Sequence, residues 1–215
     1  MNIRLHKVIP IPLRDKLSLR TSDIWNNDTM FLEGERVKIK APSGTGKTTL
    51  VHTIYKLRGD YTGELFYDGI DIKHIPTDTI SNYRQQKLSV IFQDMRLFAN
   101  LTARENIELK RVMHTPIYEA SVIDEMAARL GITHILPQTA ATCSYGEQQR
   151  VAIIRSLMQP FEWLIMDEPF SHLDEANTAK AAALIQEECE KRKAGFILTD
   201  LDEDDNFTYT RKLTL

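Results

Sequence analysis

A chain of 215 residues is long enough to bury a sizeable core, and since domains usually run to about 100–200 residues, a single domain over 1–215 is expected. With 42% hydrophobic and 27% charged residues the composition excludes a disordered chain, and a net charge of −3 gives no electrostatic reason to expect nucleic acid as a partner. No apolar run reaches the roughly 18 residues of a bilayer span, and two cysteines, Cys143 and Cys189, make no disulfide framework, so a cytoplasmic chain with reduced thiols is expected.

The first predicted element is a strand over residues 36–40, where Val37 and Ile39 alternate with Arg36, Lys38 and Lys40. Next comes the turn Ala41-Pro42-Ser43-Gly44-Thr45-Gly46-Lys47-Thr48, after which Leu50, Val51, Ile54 and Leu57 recur at helical spacing over residues 49–57. Strand, glycine-rich turn and helix in that order form the setting of a Walker A phosphate loop. Gly44 and Gly46 let the backbone curl so that successive N–H groups point inward at phosphate oxygens, and the helix adds its N-terminal partial charge. Lys47 supplies a point charge for the β- and γ-phosphates, and the Thr48 hydroxyl suits a Mg²⁺ ligand. Ala41 stands where the motif usually opens with glycine, which costs little if the backbone there has negative φ.

Residues 64–67, Asp68-Gly69 and residues 70–72 read as a hairpin, because Asp-Gly readily takes the φ > 0 conformations of tight turns. Short apolar runs at 88–92, 163–166 and 196–198 are buried parallel strands by pattern. Between the first two the signals are helical, at 122–130 with Gly131 as a stop and at 145–158 ahead of Pro160. Ser144 with Glu147 three residues on is also a capping box for the second helix. The run at 163–166 ends in Asp167-Glu168, and in a parallel sheet ligands lie beyond the carboxyl ends of the strands, so this pair faces the same crevice as the loop. Asp167 suits an outer-shell role on Mg²⁺, and Glu168 is placed to take a proton from attacking water. The fold class expected is α/β: a mainly parallel sheet flanked by helices, an antiparallel β patch, and a helical subdomain inserted at about residues 94–160.

The segment Ser144-Tyr145-Gly146-Glu147-Gln148-Gln149-Arg150-Val151-Ala152 resembles the signature of ATP-binding cassette proteins. Phe92-Gln93-Asp94 is similar to that family's Q-loop and Ser171-His172-Leu173-Asp174 to its D-loop, all in the family's order. The resemblance implies a P-loop NTPase core and an ATP-binding, ATP-hydrolysing subunit of a transporter-like membrane complex. Such a subunit works as a nucleotide-sandwich dimer, with itself or with a second cassette. It also implies that residues Ala41 through Thr49 (Ala41, Pro42, Ser43, Gly44, Thr45, Gly46, Lys47, Thr48, Thr49) hold ATP and that Thr48, Gln93 and Asp167 hold Mg²⁺. Ser144, Gly146 and Asp174 would meet the nucleotide of the second subunit, and Glu168, Gln93 and Asp200 stand at catalytic positions. A transmembrane permease subunit would dock around residues 95–98, leaving the chain peripheral on the inner face of the cell membrane.

Three positions depart from the family pattern: Cys143 for leucine, Tyr145 for a glycine, and Asp200 for the histidine that hydrogen-bonds the γ-phosphate. A carboxylate beside a phosphate must be protonated, turned away or bridged by a cation, so hydrolysis slower than in a cassette with the histidine is expected. The alternative is a degenerate, weakly hydrolytic cassette that uses ATP binding for regulation or docking. Trp25 is a candidate to stack on the base, or else a core residue beside Met30 and Phe31. The acidic run at 202–205 reads as a solvated turn.

Overall fold

The computed structural model describes residues 1–17, 21–201 and 205–215. A five-stranded sheet in the order β6-β7-β8-β3-β9 is parallel throughout, formed by β3 (Arg36–Lys40), β6 (Leu88–Ile91), β7 (Trp163–Asp167), β8 (Gly195–Asp200) and β9 (Arg211–Thr214). A four-stranded antiparallel sheet, β2-β1-β4-β5, is made by β1 (Ile3–Pro10), β2 (Asp28–Phe31), β4 (Tyr61–Tyr67) and β5 (Ile70–Asp71). The predicted Asp-Gly hairpin joins β4 to β5, with Asp68 at φ 48° and Gly69 at φ 82°, the positive values its two-residue turn demands.

Two apolar clusters cover the two faces of the parallel sheet. On one face Ile165, Ile197, Val37 and Ile39 join α2 (Lys47–Ile54), α3 (Thr77–Gln86) and the antiparallel sheet. On the other, Leu164, Met166, Phe196 and Leu198 pack with α4 (Ala103–Val112), α5 (Ser121–Arg129), α6 (Tyr145–Leu157) and α7 (Glu175–Arg192). A short α1 (Arg14–Leu17) follows β1. Burial on both faces is why β6, β7 and β8 are continuous apolar runs rather than alternating ones. β3, β6, β7 and β8 all end on the side where the glycine-rich loop begins, so residues 41–48, 92–93, 167–168 and 200 share one rim.

The elements expected from sequence are present with small changes of boundary. The helix after the loop stops at Ile54, because Lys56 turns to φ 54°, and α5 ends ahead of Gly131 at φ 67°. Of the acidic run at 202–205, residues 202–204 lie outside the described residues. Both cysteines are free and buried, and among the described residues no helix is long and apolar enough to cross a membrane.

Candidate active site

The loop grows out of β3. Ala41 is fully buried and does not take positive φ, so the missing first glycine costs nothing, and its N–H donates to the Asp200 carbonyl at 2.9 Å. Gly46 is a different case. At φ 102° it is in glycine's territory, and an added Cβ would lie 2.4 Å from Leu13 Cδ1. Beneath the loop Trp25 is 2% exposed and its indole N–H donates to the Thr45 carbonyl at 3.2 Å. That corrects its candidacy as a base-stacking aromatic: both ring faces are enclosed, and the residue props the loop from below.

Lys47 opens α2 with its side chain folded back under the loop. Its Nζ donates to the Ala41 carbonyl at 2.8 Å and lies 3.1 Å from Glu168 Oε1. Glu168 follows β7 at φ 46°, a strained backbone for a glutamate, held by its N–H donating to the Thr199 carbonyl at 2.9 Å. Strain of about 1–3 kcal/mol persists only where surrounding contacts over-determine it, and here it aims the carboxylate at the loop. The second carboxylate oxygen, Oε2, accepts from Gln93 Nε2 at 3.1 Å. Gln93 in turn sets its Oε1 3.4 Å from the Thr48 hydroxyl. One pocket at the loop is therefore lined by Ser43, Gly44, Gly46, Lys47, Thr48, Thr49, Gln93 and Glu168.

Asp167 is fully buried, and Oδ1 accepts from the Thr199 hydroxyl at 2.9 Å while Oδ2 has no partner among the described residues. Burial pushes its carboxyl above the ordinary range, against the pull of the neighbouring Thr48 and Thr199 hydroxyls. An orphaned buried carboxylate oxygen is costly unless something binds it. Thr48, Gln93 and Asp167 line a pocket adjoining the first, so a hydroxyl, an amide oxygen and the unsatisfied carboxylate form an all-oxygen set of the kind Mg²⁺ takes. The residues fit that ion.

The signature segment lies elsewhere. Ser144 caps α6 in the predicted capping box, its hydroxyl accepting from the Glu147 N–H at 3.4 Å and the Glu147 carboxylate accepting from the Ser144 N–H at 2.8 Å. Gly146 is required by close approach, since a Cβ there would meet the His172 carbonyl at 2.9 Å. Tyr145 is 68% exposed and packs against the His172 ring at 5.3 Å, so its bulk points outward and does not block the helix end. Asp174 caps α7 by accepting from the Asn177 N–H at 2.8 Å, and those bonds hold its carboxyl below the usual range. Ser144, Gly146 and Asp174 thus share one surface, and none of them lines either pocket at the loop.

Asp200 is not directed at the loop. Its Oδ2 lies 3.5 Å from Lys38 Nζ and its Oδ1 accepts from the Leu201 N–H at 2.7 Å. Of the three fates open to an acid at this position, the structure has it bridged by a cation. Sequence reasoning missed Lys38, which the strand alternation presents as an ordinary polar position. It also missed Thr199 and Leu13, which position Asp167 and enclose Gly46.

The family model described as "ABC transporter" matches residues 26–171, from ahead of the loop through the start of the segment after Glu168. This chain belongs to the ABC transporter family. It is 32% identical over 177 residues to an uncharacterized ABC transporter ATP-binding protein, YvcR of Bacillus subtilis, covering 81% of this chain and 68% of that one. To the thiamine import ATP-binding protein ThiQ of Escherichia coli it is 30% identical over 174 residues, 80% of this chain and 72% of that one. The solved ATP-binding cassette MJ0796, in a dimeric post-hydrolysis state bound to ADP and Pi, superposes with a TM-score of 0.76 at 25% identity, over 93% of this chain and 88% of that one.

As an ABC transporter cassette, the chain binds and hydrolyses ATP and acts as a nucleotide-sandwich dimer. The loop, Gln93, Asp167 and Glu168 lie together at one rim, and Ser144, Gly146 and Asp174 lie on a surface apart from it. The comparisons lend no support to the alternative of a cassette that only regulates or docks.

Proposed function

We propose that residues 1–215 form one nucleotide-binding domain, with residues 94–160 as its helical subdomain, that loads Mg·ATP on the loop and hydrolyses it against a second cassette. The observation that carries this reading is the bridge at the loop: one ammonium, Lys47, between the Ala41 carbonyl and the Glu168 carboxylate, with Gln93 on the other carboxylate oxygen. An arriving triphosphate tail competes for that ammonium and leaves Glu168 free to orient water and take its proton. Thr48, Gln93 and Asp167 are the residues that would hold Mg²⁺, which when bound neutralises charge on the β- and γ-oxygens. Ser144 and Gly146 present the N-terminus of α6 to the γ-phosphate held by the second subunit, and Asp174 speaks across the same seam. Calorimetry on the purified chain checks the core of this: ATP with magnesium should bind about tenfold or more tightly than ATP with a chelator. No heat under either condition would overturn it.

We further infer that a permease subunit docks in the groove between residues 92–98, α4 and α6, placing the chain on the inner face of the membrane. The groove has an apolar rim of exposed Phe98, Leu109 and Met113 and a basic floor of Arg96, Lys110 and Arg155. Arg155 is engaged by the Met95 and Arg96 carbonyls and Arg96 by Asp94. Lys110 has no such partner among the described residues, and burial with the neighbouring Arg155 pushes its ammonium down to about 8. An amphipathic helix with an acidic side chain would complement both features. Lys110→Glu should lower membrane recovery of the chain several-fold while the purified cassette keeps its ATP affinity. Unchanged recovery would count against this groove.

A further inference from the structure

Lys38 is the least expected charge in the molecule. It lies in β3, hydrogen-bonded between β8 and β9, and is 1% exposed, although lysine is almost never fully buried unless paired. In the parallel register Lys38 faces Leu198, and Lys40 faces Asp200, so Lys38 and Asp200 share one face of the sheet and meet across the strand end. The Tyr209 ring centroid lies 6.0 Å from the ammonium.

Asp200 is close to the phosphate loop through its backbone. Its carbonyl accepts from the Ala41 N–H at 2.9 Å, and the Ala41 carbonyl accepts from Lys47 Nζ at 2.8 Å. On the neighbouring strand Asp167 pairs with Thr199 in register and Glu168 follows. Asp167 and Glu168 therefore line the pockets where an anionic phosphate tail must settle, Asp200 stands at the adjoining strand end, and Lys47 is the cation bonded to the loop itself. A second cation is needed close to Asp200, and Lys38 is that cation.

Resting on the reading that the loop binds ATP, we propose that Lys38 is a positioning residue. It neutralises the Asp200 carboxylate and holds it back from the terminal phosphate, so that a triphosphate binds despite an acid at the strand end. The effect is specific to the triphosphate, because the third phosphate group brings the extra charge closest to the strand ends. Lys38 itself touches no nucleotide.

The test uses equilibrium binding, so it does not depend on turnover. Lys38→Met removes the cation at similar volume and leaves Asp200 charged. Calorimetry should then show ATP weakened about tenfold relative to the parent, with ADP changed less than about twofold. Lys38→Met combined with Asp200→Asn should return ATP to within about twofold of the parent, because the repelling charge is gone. Asp200→Asn alone takes the carboxylate partner at 3.5 Å away from a buried ammonium and should lower the melting temperature, a direction of effect that Lys38→Met does not share. Equal weakening of ATP and ADP by Lys38→Met, or a loss that Asp200→Asn fails to repair, would overturn the proposal. If the parent itself bound no ATP, the reading of the loop would fall first and the proposal with it.

Discussion

Glu168→Gln is expected to cut ATP turnover by about a hundredfold or more while leaving ATP affinity within a few-fold of the parent. The structure says why the two quantities separate. In the parent, Glu168 Oε1 is 3.1 Å from the Lys47 ammonium and Oε2 accepts from Gln93 at 3.1 Å. A glutamine keeps one oxygen to face Lys47, and the Gln93 amide can rotate to offer its own oxygen to the new NH₂. The loop and its lysine therefore stay in place. What is lost is the carboxylate held at the loop between Lys47 and Gln93, the one placed to accept a proton from attacking water. The ATP-bound dimer, no longer dispersed by hydrolysis, should accumulate and be visible as an earlier peak in size-exclusion chromatography with ATP and magnesium. Turnover within twofold of the parent would show that the proton goes elsewhere.

What could be read from the sequence was local chemistry. The loop needs Gly46 for its backbone and Lys47 for its charge; the Asp68-Gly69 turn needs positive φ; Ser144 and Glu147 cap each other at a helix end. Each of these depends on residues a few positions apart, so a single sequence displays it. The antiparallel sheet was half hidden: only its β4–β5 hairpin was legible. β1 starts with the alternation Ile3, Leu5, both fully buried, but a register shift between His6 and Ile9 with Lys7 at φ 49° breaks the period. β9 is four residues with no apolar pattern beyond Leu213 and forms only because β3 offers it an edge. α7 carried an Asp174 cap and a good helical composition, and could have been found by the same rules that found α6.

Lys38 shows where pattern reading reaches its limit. Arg36-Val37-Lys38-Ile39-Lys40 alternates as a strand with one wet face does, yet β3 lies between β8 and β9 with a core on each side, so its second face is covered too. Which charge is buried depends on which residue lies opposite after folding, and Asp200 is 162 positions away in the chain (200 − 38). The departure at Asp200 was legible; its compensation was not.

Lys47→Ala should have the broadest consequence of any single change. The ammonium is nearly buried, 8% exposed, and serves two acceptors that have little other support, the Ala41 carbonyl and Glu168 Oε1. Removing one partner of a buried ion pair leaves the other uncompensated, and such losses run to about 3–5 kcal/mol. The true cost here should fall at the low end, because Gln93 still donates to Glu168 and the pocket is open enough for water to enter. The folded chain survives, with a melting temperature several degrees lower. Nucleotide binding fares worse. Without the ammonium the loop offers only neutral N–H groups to a highly charged tail, while Asp167 and Glu168 remain beside it as carboxylates, so attraction turns toward repulsion. ATP affinity measured by calorimetry should fall about a hundredfold or more, ADP should fall less, and ATP-dependent dimers should disappear. Lys47→Arg separates charge from fit: the guanidinium keeps the positive charge but cannot fold into a space shaped for a single nitrogen between Ala41 and Glu168, so it should recover melting temperature only in part and ATP binding hardly at all. An Lys47→Ala variant that bound ATP like the parent would mean that the loop's backbone, and not its lysine, holds the phosphates.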